Sequence, residues 1–209
     1  MDLDVHHGDG VEFAFAHTEK VITLSFHVHE PGFYPGTGDG KEKGRGVYNV
    51  PMPRGTKAPV WEETVKRGVT MVWERYLPDC LVLQCGCDGI SPSEYTNAGL
   101  LTDPHRGMSL TTHAFTRAAS YILELCKVPT LILGGGGYHP PSTAKHFALL
   151  TATILGKELD EDIPVDAEYW EELEHDGGIH VGRDTQMPPD GEEEIERLCE
   201  ALRQNIDKH

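Results

Sequence analysis

The chain opens with MDLDVHHGDG (residues 1–10), in which ionisable and aliphatic residues alternate. Side chains of a β-strand point alternately to its two faces, so a strand here places Asp2, Asp4 and His6 on one face. Burying unpaired carboxylates costs several kcal/mol each, which calls for a compensating cation. Carboxylate oxygen and imidazole nitrogen both suit zinc, and the same donors accept iron(II). The alternative is an edge strand whose polar face is exposed to solvent.

The same pattern of an apolar run followed by glycine recurs along the chain. It occurs in KVITLSFH (20–27), CLVLQCG (80–86) and TLILGGGG (130–137). Helical periodicity separates these runs and is carried by two sets, Val65, Val69, Val72, Trp73 and Tyr76, then Phe115, Ala118, Ile122 and Leu125. Apolar strands alternating with helices predict an α/β fold around a mainly parallel sheet, with ligands at the carboxyl ends of the strands.

Charge is unevenly distributed along the 209 residues, whose net charge is −16. Residues 157–209 hold 18 of the 34 acidic and 5 of the 18 basic residues, a net −13. We therefore predict a body over 1–156 and an acidic extension over 157–209, closed by a helix and packed on the same domain. Its acidity disfavours nucleic-acid binding, which needs a basic surface, and tolerates a lysine-rich partner.

The sequence gives only indirect evidence of the cellular compartment and of membrane association. No run of about 18 apolar residues predicts a membrane span, and the first residues do not resemble a secretory signal. The chain has five cysteines, which is an odd number, and it contains no CxxC motif. We therefore expect free thiols in a reducing compartment, either nucleus or cytoplasm.

A third acidic residue ends another apolar strand, in LVLQCGCDGI (81–90). Asp88 could complete a three-ligand site with Asp4 and His6 and leave a position open, as catalytic zinc sites do. Two alternatives stay open. Asp88 could be a turn or helix-cap residue, and Cys85 with Cys87 could supply thiolate ligands instead.

The glycine run in TLILGGGGYHP (130–140) has two interpretations. A phosphate-binding loop fits poorly, because His139 stands where the dinucleotide motif needs glycine and no lysine follows as in a P-loop. Glycine also lets a backbone approach a narrow channel closely. Tyr138 could then donate a hydrogen bond to an oxyanion, or it could be an ordinary core tyrosine. The loop over residues 28–45 is long enough to suggest a functional role.

Four segments in order closely resemble signature blocks of the zinc-dependent histone deacetylases, nearest the class I type. They are DLDVHHGDGVEFAF (2–15), SFHVHEPGFYPGTGD (25–39), LVLQCGCDGISP (81–92) and TLILGGGGYHPPSTA (130–144). The resemblance covers residues 2–156 and extends loosely to the closing helix. It implies an arginase-like, three-layer α/β fold and hydrolysis of the acetyl amide of N-acetyl-lysine.

Site residues follow from the resemblance position by position. It implies that Asp4, His6 and Asp88 bind zinc and that Tyr138 polarises the acetyl carbonyl. Gly136 would lie beside the acetyl-lysine channel. Tyr34 stands where the family usually has phenylalanine in the channel wall, so the channel here carries an additional hydroxyl.

The resemblance also implies structural potassium ions. One would be held by Asp2, Asp4, His6, Ser25 and Phe26, mainly through backbone oxygens. A second would use the carbonyls of Phe15, Thr18 and Val21.

Departures from the family pattern are equally informative. The family's general base and its partner are two adjacent histidines upstream of the metal strand, and no such pair precedes Asp4 here. His7 is not a substitute, since on a strand it faces away from His6. The segment after Asp88, GISPSEYTNAGLLT (89–102), is unlike the usual class I rim. The chain thus resembles the C-terminal portion of the catalytic domain without its N-terminal strands, and we expect impaired activity and marginal solubility.

The functional prediction is a lysine deacetylase, a chromatin regulator and transcriptional repressor acting on acetylated histone tails or other acetyl-lysine proteins, with a corepressor complex as a candidate partner. Two alternatives are kept. One is a non-catalytic fragment that serves as an interaction or regulatory module. The other is an amidohydrolase acting on acetylated polyamines.

Overall fold

The computed structural model describes residues 1–41, 44–90, 107–167 and 178–208. Its helices are α1 (Asp9–Phe15), α2 (Ala58–Tyr76), α3 (Thr112–Leu125), α4 (Pro140–Ile154) and α5 (Gly191–Asp207). Its strands are β1 (Thr23–Val28), β2 (Val47–Met52), β3 (Thr56–Lys57), β4 (Leu81–Gln84), β5 (Met108–Ser109) and β6 (Thr130–Leu133). The ladders β1–β2, β4–β6 and β3–β5 are all parallel, as the sequence pattern predicts.

The first residues of the chain join two of these ladders into one sheet. Asp2 bridges Ser25 of β1 and Gln84 of β4. The Asp2 N–H donates to the Leu24 carbonyl at 2.8 Å, and the Leu3 N–H donates to the Gln84 carbonyl at 3.0 Å. The predicted strand over residues 2–6 is therefore shorter than expected, because the chain bends over residues 4–6. The resulting order is β2, β1, the opening segment, β4 and β6.

One face of this sheet carries the hydrophobic core. Phe26 of β1 and Leu83 of β4 are fully buried there, as are Trp61 and Phe115 of the covering helices α2 and α3. The rings of Trp61 and Phe115 stack with centroids 5.3 Å apart. Helix α4 lies on the same side, since the buried His146 ring meets Phe115 edge-on at 4.5 Å. Both helices that the periodicity predicts are thus confirmed.

In the part of the chain that the structure describes, the opposite face is covered over β1 and β2 but open over β4 and β6. His27 and Asn49 are buried there by helix α1 and by the loop that follows β1. Val82, Leu131 and Leu133 are 47%, 56% and 42% exposed on β4 and β6. Parallel sheets are normally covered on both faces. The described residues therefore show two layers and a small helix of the three-layer arrangement that the resemblance implies.

The closing helix α5 packs where its apolar stripe predicts. Ile195, Leu198 and Leu202 are buried against α2 and β2. Arg67 of α2 also binds Glu192 and Glu196 of α5 through its guanidinium, at 2.7 and 2.6 Å. The acidic C-terminal region is thus tied to the body at this helix.

Several elements are not predicted from the sequence, namely α1, α4, β3, β5 and the longer strand β2. Its sequence VYNVPM contains Pro51, which lacks an N–H for a ladder and lowers the strand signal. All five cysteines are free thiols, as predicted. None of the described helices is long and apolar enough to cross a membrane.

Because α2 packs closely on the sheet, a larger residue at Gly68 should lower the stability of the chain. A Cβ added at Gly68 would lie 2.9 Å from Phe26 Cε1 and 3.2 Å from Leu202 Cδ2. We expect Gly68→Ala to lower the free energy of unfolding by about 1–2 kcal/mol, because overpacking outweighs the gain in helix propensity. Urea denaturation measures this change.

Gly10→Ala is the matched control. Gly10 also lies in a helix, and a Cβ there would meet nothing within 4 Å. This variant should be neutral or more stable by up to about 1 kcal/mol. Equal effects of the two substitutions would contradict the packing argument.

Candidate metal centre

Three of the predicted ligands meet at the carboxyl ends of the opening segment and β4. One potential ligand atom from each of Asp4, His6 and Asp88 lies within 4.8 Å of the other two. Asp88 follows the end of β4 by four residues and is 4% exposed. Asp88 lies in a turn, as one alternative predicted, but its carboxylate is buried beside Asp4 and His6.

The imidazole of His6 lies between the two carboxylates. Its Nδ1 is 3.1 Å from Asp4 Oδ1 and 2.9 Å from Asp88 Oδ2. The second Asp88 oxygen accepts from the Val5 N–H at 3.0 Å, whereas the buried Oδ2 faces the same His6 Nδ1 that Asp4 approaches. A single ring nitrogen cannot donate well to two oxygens at once. A divalent cation bound to all three atoms would satisfy them together, so the donor set fits zinc.

A backbone N–H and a side-chain amide bind the carboxylate oxygen of Asp4 that does not face His6. Its Oδ2 accepts from the Gly136 N–H at 2.8 Å and from Gln84 Nε2 at 3.1 Å. A Cβ at Gly136 would lie 2.2 Å from Asp88 Oδ2, so only glycine fits between the carboxylates. The glycine run therefore allows the backbone to approach the two carboxylates closely. The phosphate-loop interpretation loses support, because the Gly136 N–H is used and α4 begins at Pro140, which has no N–H.

The pKa values show that the metal-free site holds protons. Burial opposes the charge on His6, but hydrogen bonds with Asp4 and Asp88 outweigh it and raise its pKa to about 9. Burial also acts on Asp4, yet its hydrogen bonds hold its pKa below the usual range. Burial and the charge of Asp4 raise the pKa of Asp88, and burial raises that of Asp2 to about 6. A bound dication would displace the proton from His6.

The thiolate alternative is not supported. Burial raises the pKa of Cys85 to about 12 and that of Cys87 to about 11, so both stay protonated. Cys87 Sγ lies 3.8 Å from Thr143 Oγ1 instead. Neither thiol belongs to the cluster of potential ligands found among the described residues.

A cavity of about 420 Å³ opens onto the ligands. Tyr34 and Tyr138 line it together with Asp4 and His6. Tyr138 is 60% and Tyr34 67% exposed, so both hydroxyl-bearing rings stand towards its mouth. Phe33 stacks on His6 with centroids 5.4 Å apart and lies behind this lining. The structure thus brings five predicted site residues, Asp4, His6, Tyr34, Asp88 and Tyr138, to one region, with Gly136 against the carboxylates.

Two supporting residues were missed from the sequence. Gln84 orients Asp4, and the only signal for it was one amide in an otherwise apolar strand. His7 borders the same cavity, although its side chain is only 1% exposed. Its ring bonds Glu12 Oε2 at 2.7 Å and Thr37 Oγ1 at 2.8 Å.

The potassium positions remain predictions. The Asp2 carbonyl accepts from the Phe26 N–H at 3.1 Å, and Ser25 Oγ lies 2.8 Å from His27 Nδ1. The Phe15 carbonyl accepts from the Thr18 N–H at 3.1 Å, and Val21 lies just before β1. Of the predicted rim segment 89–102, residues 91–102 lie outside the described part of the chain.

Comparison with known proteins identifies relatives of the chain. A family model described as the histone deacetylase domain matches residues 1–154. Histone deacetylase 8 of Xenopus laevis and that of Danio rerio are each 35% identical over 211 positions, which cover 99% of this chain. Probable histone deacetylase 1-B of Xenopus laevis is 31% identical over the same share. The matched regions are 61%, 53% and 41% of those three relatives, so the chain spans about half their length.

The proton on His6 generates a pH prediction for the metal-free chain. The pKa of His6 is about 9 when folded and about 6.5 when unfolded, so the folded state binds more protons between these values. The resulting stabilisation is complete below pH 6.5 and is lost as the pH rises through 9. We expect the free energy of unfolding in EDTA to fall by roughly 2 kcal/mol over this range.

Urea denaturation between pH 6.5 and 9.5 checks this expectation. His6→Gln should flatten the slope, and saturating zinc should remove it in the wild type, because the metal takes the place of the proton. An unchanged slope in His6→Gln would show that another group is responsible.

Proposed function

Because the chain belongs to the histone deacetylase family, we propose that it takes part in zinc-dependent hydrolysis of N-acetyl-lysine in histones or other proteins. One observation carries the proposal. An Asp–His–Asp set suited to a divalent metal lies at a cavity whose lining includes Asp4, His6 and Tyr138. The reaction needs both a Lewis acid and an oxyanion donor at such a place.

Each residue has a distinct proposed role. Asp4, His6 and Asp88 would hold zinc, which would polarise the acetyl carbonyl and lower the pKa of water; iron(II) suits the same donors. Tyr138 would donate its hydroxyl to the carbonyl oxygen as negative charge develops there. Tyr34 and Phe33 would enclose the aliphatic stem of lysine, and Gly136 would leave room for the acetyl group. Structural potassium near Asp2 and Ser25 is part of the same proposal.

Proton transfer is the step of the proposed reaction that this site supports least. The two histidines that line the cavity, among the described residues, are His6 and His7. His6 belongs to the ligand set, and both nitrogens of His7 have hydrogen-bond partners in Glu12 and Thr37. Since the described residues place no imidazole as a general base, we propose that the 209-residue chain turns over slowly.

Charge supports a basic polypeptide substrate. The chain carries a net −16, and a lysine-rich acetylated tail would be attracted to it. A nuclear or cytoplasmic location and a role in a repressive corepressor complex fit this substrate class and stay proposals. No direct binding to nucleic acid is proposed.

The architecture that we propose is the arginase-like three-layer fold of the family. Residues 1–156 would form the catalytic body, and residues 157–209 an acidic extension on the same domain. The exposed aliphatic side chains of β4 and β6 support a further covering layer on that face.

A non-catalytic module is the second candidate. The observation that favours it is that neither cavity histidine in the described part of the chain is placed as a base. Such a module would bind metal and acetyl-lysine without releasing acetate. Hydrolysis of acetylated polyamines differs only at the rim, and a comparison of acetyl-lysine peptide with acetylspermidine as substrate separates the two activities.

An activity assay tests the proposal. Acetate release from an acetyl-lysine peptide is measured for the zinc-loaded chain, Asp88→Asn and Tyr138→Phe. We expect slow turnover in the wild type, a loss of at least about tenfold in Tyr138→Phe, and none above background in Asp88→Asn. A small methylimidazole added as a mobile base should accelerate the wild type alone.

Binding separates the two candidates. Peptide binding without acetate release, and without rescue by the added base, would support the module. If the zinc-loaded chain neither binds nor hydrolyses the peptide, the proposed function is wrong.

A further inference from the structure

A buried polar network links the metal segment to the loop that bears Tyr34. His7 is buried, with its side chain 1% exposed. Its Nε2 lies 2.7 Å from Glu12 Oε2, and its Nδ1 lies 2.8 Å from Thr37 Oγ1. An ionised Glu12 only accepts, so His7 donates from Nε2, and its Nδ1 pairs with the Thr37 hydroxyl.

Glu12 is itself fixed at the sheet. Asn49 Nδ2 of β2 donates to the same Oε2 at 2.6 Å, so helix α1, β2 and His7 meet at one carboxylate oxygen. Burial opposes the charge of Glu12, but the hydrogen bonds from His7 and Asn49 outweigh it and lower its pKa. His7 is therefore held rigidly on its inner side.

A second histidine fixes the same loop one residue further on. His27 of β1 is fully buried, and its Nε2 donates to the Gly38 carbonyl at 2.8 Å. Gly38 has φ +81°, and a Cβ there would lie 2.3 Å from His27 Nε2 and 2.7 Å from the His7 ring. Only glycine fits this close approach, which brings the loop directly onto both imidazoles.

The loop so fixed carries the wall of the cavity. Phe33 stacks on His6 at 5.4 Å, and Tyr34 meets His6 edge-on at 5.9 Å. Tyr34 is 67% exposed, so few contacts of its own hold it in place. Thr37 and Gly38 are the points at which this short segment is tied to the sheet.

We infer that His7 is a positioning residue, which holds the Tyr34 wall of the cavity through its hydrogen bond to Thr37. It acts through the loop, without touching the substrate or the metal. The inference rests on the proposed function, since it assigns that wall to acetyl-lysine binding. It predicts that loss of the Thr37 hydroxyl loosens the wall while the metal ligands keep their geometry.

The test compares Thr37→Val with Thr37→Ser in the full 209-residue chain. Valine keeps the shape and removes the hydroxyl, whereas serine keeps the hydroxyl. We expect Thr37→Val to weaken binding of an acetyl-lysine peptide to the zinc-loaded chain by roughly fivefold. Thr37→Ser should bind as the wild type does.

Two readouts separate positioning from general damage. Chymotrypsin cleavage after Phe33, followed by mass spectrometry, should be several-fold faster in Thr37→Val than in the wild type or Thr37→Ser. Titration with Co²⁺, followed by its visible absorption, should give the same affinity in all three proteins. Equal cleavage rates, or a parallel loss of cobalt binding, would overturn the inference.

The cleavage readout also stands apart from the proposed function. If even the wild type fails to bind the peptide, the proposed function fails, while faster cleavage in Thr37→Val still supports the role of His7 in fixing the loop. Peptide binding by the wild type with equal cleavage in the variants would leave the function intact and refute the positioning role.

Discussion

Two carboxylates buried side by side impose the constraint on which the rest of the structure depends. Asp4 and Asp88 converge from different parts of the chain on one imidazole, and burial alone would make this arrangement costly. The surrounding backbone compensates by donating N–H groups of Val5 and Gly136 to the two acids. The bend of the opening segment and the close approach of the glycine run both serve this compensation.

The sequence predicts the parts of the site that obey simple periodicity or that belong to the quoted blocks. Alternation places Asp4 and His6 together, and the apolar run before Asp88 places that acid at a strand end. What the sequence does not reveal depends on departures from periodicity. The strand alternation does not extend to His7 because the chain bends over residues 4–6, and β2 is missed because Pro51 weakens its strand signal. The helices α2 and α3 are predicted well because their apolar stripes are long and regular.

The cavity is rigid on the side of the metal ligands and open at its mouth. The ligand side is held by several hydrogen bonds to buried partners, whereas the mouth carries exposed tyrosine rings. Preorganised ligands with an adaptable entrance suit a substrate whose reactive group is constant and whose flanking sequence varies. The hydrogen bonds of His7 and His27 lie at the boundary between these parts.

The open face of β4 and β6 makes the colloidal behaviour of the chain depend on salt. Aliphatic side chains there meet water beside a surface with a net charge of −16. Repulsion between copies acts over about 30 Å at 0.01 M salt and over only about 8 Å at 0.15 M. Dilute buffer well above the isoelectric point of about 5.1 therefore keeps the apolar faces apart. Physiological salt removes most of that protection and lets them meet.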